Sequence, residues 1–179
     1  MRPGFLVLPL VTLLGCLVPT GFGTGTGSSR DSGTTDGVVE PRPVPVPTTV
    51  DGMLSFLAKG SYASYPTTSA VTRPQGPHGV AGVRAYYHPS LLASLDDQAV
   101  EHPAGAGAVL ELYSADGTTR FGWAASVKVD PTSDGGFGWL WLEAVEAPDG
   151  PKLVEGGDGL SLCINCHASG DDYVIGVKP

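Results

Sequence analysis

The chain has 179 residues, a length typical of one domain with appendages, and its formal net charge is −8. An acidic surface repels phosphate groups, so we expect neither nucleic acid binding nor charge-driven attachment to anionic lipid. The abundance of glycine (26 residues) and proline (16 residues) predicts frequent turns and few long helices.

The N-terminus has the pattern of an export signal. Arg2 precedes an apolar run from Phe5 to Leu14, which is too short to span a bilayer and ends in small residues. The run resembles a bacterial lipoprotein signal, which implies removal of residues 1–15 and acylation of Cys16. The alternative is plain export with cleavage a few residues later, which would remove Cys16. The lipoprotein reading predicts a periplasmic protein of the bacterial cell envelope, held to a membrane by its lipid.

Residues 16–50 form a predicted tether. It contains a segment rich in Gly, Ser and Thr (TGFGTGTGSSRDSGTTDG) and a proline-alternating segment (PRPVPVPTTV). Such segments bury no core, so we expect a disordered chain followed by an extended, polyproline-like one. An edge strand at VPVP is the alternative. The folded domain is predicted over residues 51–179.

The domain is predicted to be mainly β, of the α+β class, with an antiparallel sheet and a few short helices. Predicted helices are DGMLSFLAK with Asp51 near its cap, SLLASLDDQAV capped by Ser90, and GGDGLSLCINCHAS capped by Asp158 or Ser161. Predicted strands are GVAGVRAYYHP, GAVLELYS, RFGWAASVKVD, FGWLWLEAV and DYVIGV. The turns ADGT and PTSDGG separate the three central strands.

Several side chains of these strands have an expected environment. Phe121, Trp123, Trp139 and Trp141 are predicted to lie in the sheet core, and alternation puts Trp139 and Trp141 on one face. Lys128 is predicted to be an exposed strand lysine.

The stretch LCINCHASGDD holds Cys163 and Cys166, separated by two residues, with His167 directly after Cys166. A thioredoxin-like dithiol, a zinc site and covalent c-type haem all use such a cysteine pair. A dithiol is normally followed by substantial chain and a zinc site usually needs a second ligand pair, and the sequence offers neither. The pattern therefore favours one haem c, with thioether bonds from Cys163 and Cys166 and with His167 as the iron ligand. Export agrees with this, because c-type haem is attached outside the cytoplasm.

The motif does not identify a second axial ligand. No methionine follows Cys166, and the remaining candidates are His78, His88, His102 and Met53. His78 and His88 flank glycine or proline, which indicates loops, and a lone histidine is usually a surface residue.

Five stretches, in their order along the chain, resemble the cytochrome P460 family, which includes the β-sheet cytochromes c′: PHGVAGVRAYYHP, GAVLELYSADG, FGWAASVKVD, GGFGWLWLEA and CINCHASGDDYVIG. The resemblance covers residues 52–177. It implies a mainly antiparallel β fold, usually dimeric, with one five-coordinate haem on a C-terminal helix and an iron face open to small ligands. It also implies that Arg84 lies near the haem, with a solvated arginine as the alternative. Leu110 is expected either to cover the side of the iron that is open to ligands or to belong to the core.

Two departures from the family bear on activity. P460 enzymes cross-link a lysine to the haem, and Leu110 stands at that position in this chain. Ala124 stands where some P460 enzymes have a carboxylate that accepts a proton. The sequence therefore favours binding of nitric oxide or carbon monoxide over oxidation of hydroxylamine-like compounds. A six-coordinate electron carrier with an unknown redox partner is the other alternative. Asp171 and Asp172 are predicted to cap the turn after the haem helix.

Overall fold

The computed structural model describes residues 42–73, 78 and 82–175. The predicted signal peptide, Cys16 and the predicted tether up to residue 41 lie outside these residues. In the described part of the chain, no helix is long and apolar enough to cross a membrane.

One sheet of five antiparallel strands forms the centre of the domain. The strands follow each other in chain order: β1 (Gly82–Tyr87), β2 (Gly107–Tyr113), β3 (Arg120–Lys128), β4 (Trp139–Val145) and β5 (Lys152–Asp158). Each strand pairs with the next, so the sheet is a meander. The predicted α+β class, mainly β with an antiparallel sheet and short helices, is confirmed.

Three short α-helices accompany the sheet: α1 (Val50–Ala58), α2 (Pro89–Asp96) and α3 (Ser161–His167). All three were expected, and Asp51 lies in the first turn of α1 as predicted, but the N-terminal contacts of α2 and α3 differ from the prediction. In α2 the Nδ1 atom of His88 accepts a hydrogen bond from the Ser90 amide at 3.3 Å. The residue that caps α2 is therefore His88, and the prediction of a Ser90 cap is wrong. No side chain caps α3, so the prediction of a cap by Asp158 or Ser161 is also wrong.

The larger core lies between α1 and one face of the sheet, called the α1 face. Helix α1 contributes residues three and four positions apart, which share one side of a helix, and each strand contributes alternate residues. The buried members are Met53, Phe56 and Leu57 of α1 and Tyr86, Val109, Trp123, Ala125, Val127, Leu140, Leu142 and Ala144 of the strands.

The opposite side of the sheet, called the α3 face, carries the intervening residues of the same strands. Strand register puts Leu110, Ala124 and Glu143 in one row across β2, β3 and β4. Ser126 and Trp141 belong to the adjacent row. Helix α2 covers the β1 and β2 part of this face, while the chain around α3 lies over β4.

Two elements differ from those predicted. β5 is missing from the predicted strands because most of its residues are exposed and show no alternation of burial. The predicted strand DYVIGV is wrong for its described residues. They lie in a turn closed by a single bridge between Asp171 and Val174, with φ of 45° at Asp172 and 65° at Tyr173. Left-handed backbone of this kind interrupts a strand.

The structure also differs from the predicted tether over residues 42–49. Val46 is only 4% exposed and belongs to the core on the α1 face, and the Tyr65 hydroxyl donates a hydrogen bond to the Val44 carbonyl. This end of the proline-alternating segment therefore lies against the domain.

The aromatic residues of the sheet follow the predicted alternation with one exception. Trp123, Trp139 and Trp141 are buried as predicted, and the ring centres of Trp139 and Trp141 lie 5.8 Å apart. Phe121 is 36% exposed, so the prediction that it lies in the core is wrong. It is the second residue of β3.

Glu111 is a buried carboxylate on the α1 face. It accepts hydrogen bonds from the hydroxyls of Tyr62 at 2.9 Å, Tyr86 at 3.1 Å and Tyr113 at 2.8 Å, and from Arg120 Nη1 at 2.7 Å. Burial opposes ionisation, but the hydrogen bonds from Tyr113, Arg120 and Tyr62 outweigh it, so the pKa of Glu111 is lowered. The ionised carboxylate thus joins β1, β2 and β3 to the turn that follows α1.

We expect Glu111→Gln to lower the free energy of unfolding by about 1–3 kcal/mol at pH 7, because the buried donors lose their charged acceptor. A carboxylate with a lowered folded pKa stabilises the fold above its unfolded pKa of about 4.3, and this contribution is lost as the pH falls through the folded pKa. In urea unfolding, the gap between wild type and variant should therefore shrink from about pH 6 to about pH 3. Glu155→Gln on exposed β5 is the control. A difference in free energy of unfolding between wild type and Glu111→Gln that does not change with pH would contradict a stabilising role of the ionised carboxylate.

Candidate functional site

Helix α3 brings the three residues of the C-x-x-C-H motif to one side. Cys163 precedes Cys166 by three positions and His167 by four, and residues at these spacings share a helix face. Both cysteines are free thiols, Cys163 half-buried and Cys166 exposed. Burial raises the pKa of the Cys163 thiol to about 11, and the nearby carboxylates of Glu155 and Glu143 act in the same direction.

His167 has one ring nitrogen bound and the other free of described partners. Its Nδ1 lies 2.9 Å from the Tyr173 carbonyl oxygen, which only accepts, so Nδ1 carries the proton. The Nε2 atom then presents its lone pair, and no described residue hydrogen-bonds to it. Burial lowers the pKa of His167, which favours the neutral imidazole that binds metals. The ring lies against Trp141, with 4.7 Å between ring centres.

A buried ion pair fixes the turn that carries the Tyr173 carbonyl. The side chains of Lys128 and Asp172 are 0% and 1% exposed, and their charged atoms lie 2.5 Å apart. Asp172 also accepts hydrogen bonds from the His102 amide at 2.6 Å and from the Ser133 hydroxyl. The prediction of an exposed Lys128 is therefore wrong. Asp172 holds the turn from the end of β3 instead of capping it locally.

Three buried polar atoms near this turn have no hydrogen-bond partner among the described residues: His102 Nε2, Trp139 Nε1 and Trp141 Nε1. Buried polar groups are normally bonded, so each marks a place where an additional acceptor or donor would be favourable. The indole N–H of Trp141 belongs to the ring that lies against His167.

The structure brings one of the two other predicted haem contacts to this side of the sheet. Leu110 is half-buried on the α3 face and belongs to the same cluster as Val174, which directly follows Tyr173. Arg84 lies on the α1 face, where its guanidinium is 5.7 Å from the Tyr113 ring centre. Leu110 is therefore placed with α3, and Arg84 is not.

One carboxylate on the α3 face, that of Glu143, was not among the predicted site residues. Glu143 pairs directly with Ala124 across β3 and β4, and it is close enough to Cys163 to affect the pKa of that thiol. The sequence contained a signal for this placement, because residue 143 continues the alternation of Trp139 and Trp141 and so lies on the same face of the sheet. The position of Ala124 therefore has a carboxylate beside it from the neighbouring strand.

Among the candidate second ligands, His78 is the one placed beside His167, with 6.2 Å between ring centres. His88 caps α2, His102 bonds Ser94 through Nδ1 at 2.8 Å, and Met53 is buried under α1. Within the described ranges, no three His, Cys, Asp or Glu side chains are grouped as a site for a metal ion.

We expect Lys128→Met to lower the free energy of unfolding by about 3–5 kcal/mol, because Asp172 would remain buried without its cation. Asp172→Asn in the same chain should restore part of this loss, since it removes the uncompensated charge and tolerates the left-handed backbone. Lys152→Met on exposed β5 is the matched control, with an expected change below about 0.5 kcal/mol. Urea unfolding measures all four proteins. Equal effects of the two lysine substitutions would show that the ion pair does not hold the turn.

The chain was compared with protein-family models, with curated proteins and with solved structures, and none of the three comparisons finds a match. A functional conclusion therefore rests on the side chains of this chain and on their geometry. The arrangement with the most specific chemistry is the pair of thiols and the oriented imidazole on one face of α3.

Proposed function

We propose that the protein is an exported monohaem c-type cytochrome of the cytochrome P460 type, which binds small neutral ligands such as nitric oxide or carbon monoxide. One observation carries the proposal. Cys163, Cys166 and His167 share one side of α3, and the Tyr173 carbonyl holds Nδ1 of His167 so that Nε2 is available. Two thiols at this spacing match the two vinyl groups on one edge of a haem, and the adjacent imidazole suits its iron.

Further features of the α3 face fit a haem. No residue of α3 is buried, and Leu162 is 66% exposed, so the helix offers apolar surface to a bound ring. The Trp141 N–H is a buried donor beside His167, and haem propionates are acceptors that could satisfy it. These observations support the fit of the residues to a haem.

The protein groups have separate tasks in this proposal. When bound, haem iron supplies a coordination site for one small ligand and one-electron chemistry. Cys163 and Cys166 would hold the ring through thioether bonds. The Tyr173 carbonyl, by accepting a hydrogen bond from Nδ1–H, orients His167 and makes its Nε2 a better electron-pair donor to a metal. The ion pair between Lys128 and Asp172 keeps this carbonyl in place.

Binding of neutral diatomic ligands is preferred over catalysis because of Leu110. A leucine forms no cross-link to a haem, and its side chain adds apolar surface to the α3 face.

Oxidation of hydroxylamine-like compounds is a second candidate, favoured by Glu143, which could accept the proton that Ala124 cannot. If this candidate holds, the haem-loaded protein oxidises hydroxylamine with a soluble electron acceptor and Glu143→Gln abolishes the turnover. No turnover in the wild type would reject it.

The N-terminal segment adds a location to the proposal. Cys16 would carry lipid and anchor the domain on the periplasmic side of a bacterial membrane, with a homodimer as the expected assembly. Cys16→Ser should then release the protein from the membrane fraction during expression. Equal membrane retention of both proteins would contradict lipid anchoring and leave the haem proposal intact.

The haem proposal is tested with the full chain produced together with haem-maturation machinery. We expect covalent haem in the wild type and a change in the absorption spectrum of the reduced protein when carbon monoxide or nitric oxide is added. Cys163→Ala with Cys166→Ala should abolish covalent haem, because both thioether bonds are lost. Asn165→Ala, an exposed position inside the motif, is the control and should keep it. A reduced spectrum that neither gas changes would contradict ligand binding.

A further inference from the structure

His78 and His167 come from distant parts of the chain, yet their rings are neighbours. His78 lies between the turn after α1 and strand β1, whereas His167 ends α3. Their ring centres are 6.2 Å apart, and the ring planes form an angle of 68°.

The separation suits two imidazoles that share one metal. A metal–nitrogen distance of about 2 Å on each side, plus about 1 Å from each nitrogen to its ring centre, puts two opposed rings about 6 Å apart. Two rings that contain the same ligand–metal–ligand axis can be rotated about it, so an angle of 68° between their planes is compatible.

His78 is also free of other described partners. His88 and His102 each make a hydrogen bond through Nδ1, to Ser90 and Ser94 respectively. No described residue hydrogen-bonds to the ring of His78, which is half-buried against His167. Among the described residues nothing occupies the ring nitrogens of His78, so they are available to a ligand.

We propose that His78 is the second axial ligand of the haem iron, on the side opposite His167. The proposal rests on the haem being attached to α3, as proposed above. This departs from the five-coordinate, open iron that the family resemblance implies, because a small ligand must then displace His78 before it binds. The apparent affinity for the gas is then the intrinsic affinity of the open iron multiplied by the fraction of molecules in which His78 is detached. His78 thus sets the threshold at which the protein responds to its ligand.

The experiment uses the full chain with covalent haem and three variants. His78→Ala removes the proposed ligand, and His78→Met replaces it with a thioether. His88→Asn is the matched control, because it removes another histidine while its amide oxygen can still cap α2. Electron paramagnetic resonance of the oxidised protein and absorption spectra report the spin state of the iron. Titration with carbon monoxide of the reduced protein gives the affinity.

We expect low-spin iron in the wild type and in His88→Asn, and high-spin iron in His78→Ala. His78→Met should stay low-spin and have a higher reduction potential, since a methionine ligand raises it. If His78 is bound to the iron in about nine of ten molecules, His78→Ala should bind carbon monoxide about tenfold more tightly than the wild type.

High-spin iron in the wild type, or a spin state and affinity that His78→Ala leaves unchanged, would overturn the role of His78. In both cases the haem is still attached, so the proposed function survives. Absence of covalent haem from the wild type would reject the proposed function itself. The two failures are therefore distinguished by the haem content of the purified protein.

Discussion

The buried ion pair between Lys128 and Asp172 connects the sheet to the candidate site. Charges this deeply enclosed are stable only when paired, so the end of β3 and the turn after α3 must stay together. The turn then places the Tyr173 carbonyl where it accepts a hydrogen bond from Nδ1–H of His167. The orientation of one imidazole on a seven-residue helix thus depends on a lysine at the end of the central strand. Removal of the pair should affect the site even though the described hydrogen bonds of Lys128 and Asp172 do not include the three motif side chains.

Much of the fold could be predicted because its signals are local. Alternation of apolar residues identified four of the five strands, and the spacing of apolar residues identified α1 and α2. β5 was missed because its residues are exposed and show no periodicity. Lys128 was misjudged because its partner lies 44 residues away, and no local pattern reports such a pairing. The caps of α2 and α3 were misassigned because several polar residues near each start were equally plausible.

The candidate site divides in the same way between local and distant signals. Cys163, Cys166 and His167 are close in sequence, so their grouping followed from the motif once α3 was expected. Residues contributed by other elements were harder to place: Arg84 lies on the opposite side of the sheet, while Glu143 and His78 lie where the motif alone did not put them. These two side chains decide between the functional candidates. Glu143 adds a proton acceptor and His78 adds an imidazole, so the surroundings of the motif are more polar than the sequence indicated.

The central claim is that α3 carries a covalently attached haem. The most direct measurement is the intact mass of the denatured protein, purified after production with haem-maturation machinery. The account predicts that the polypeptide keeps the added mass of one haem after denaturation, since thioether bonds to Cys163 and Cys166 survive unfolding. An unmodified polypeptide mass, under conditions in which a known c-type cytochrome made in the same cells is fully loaded, would contradict the account.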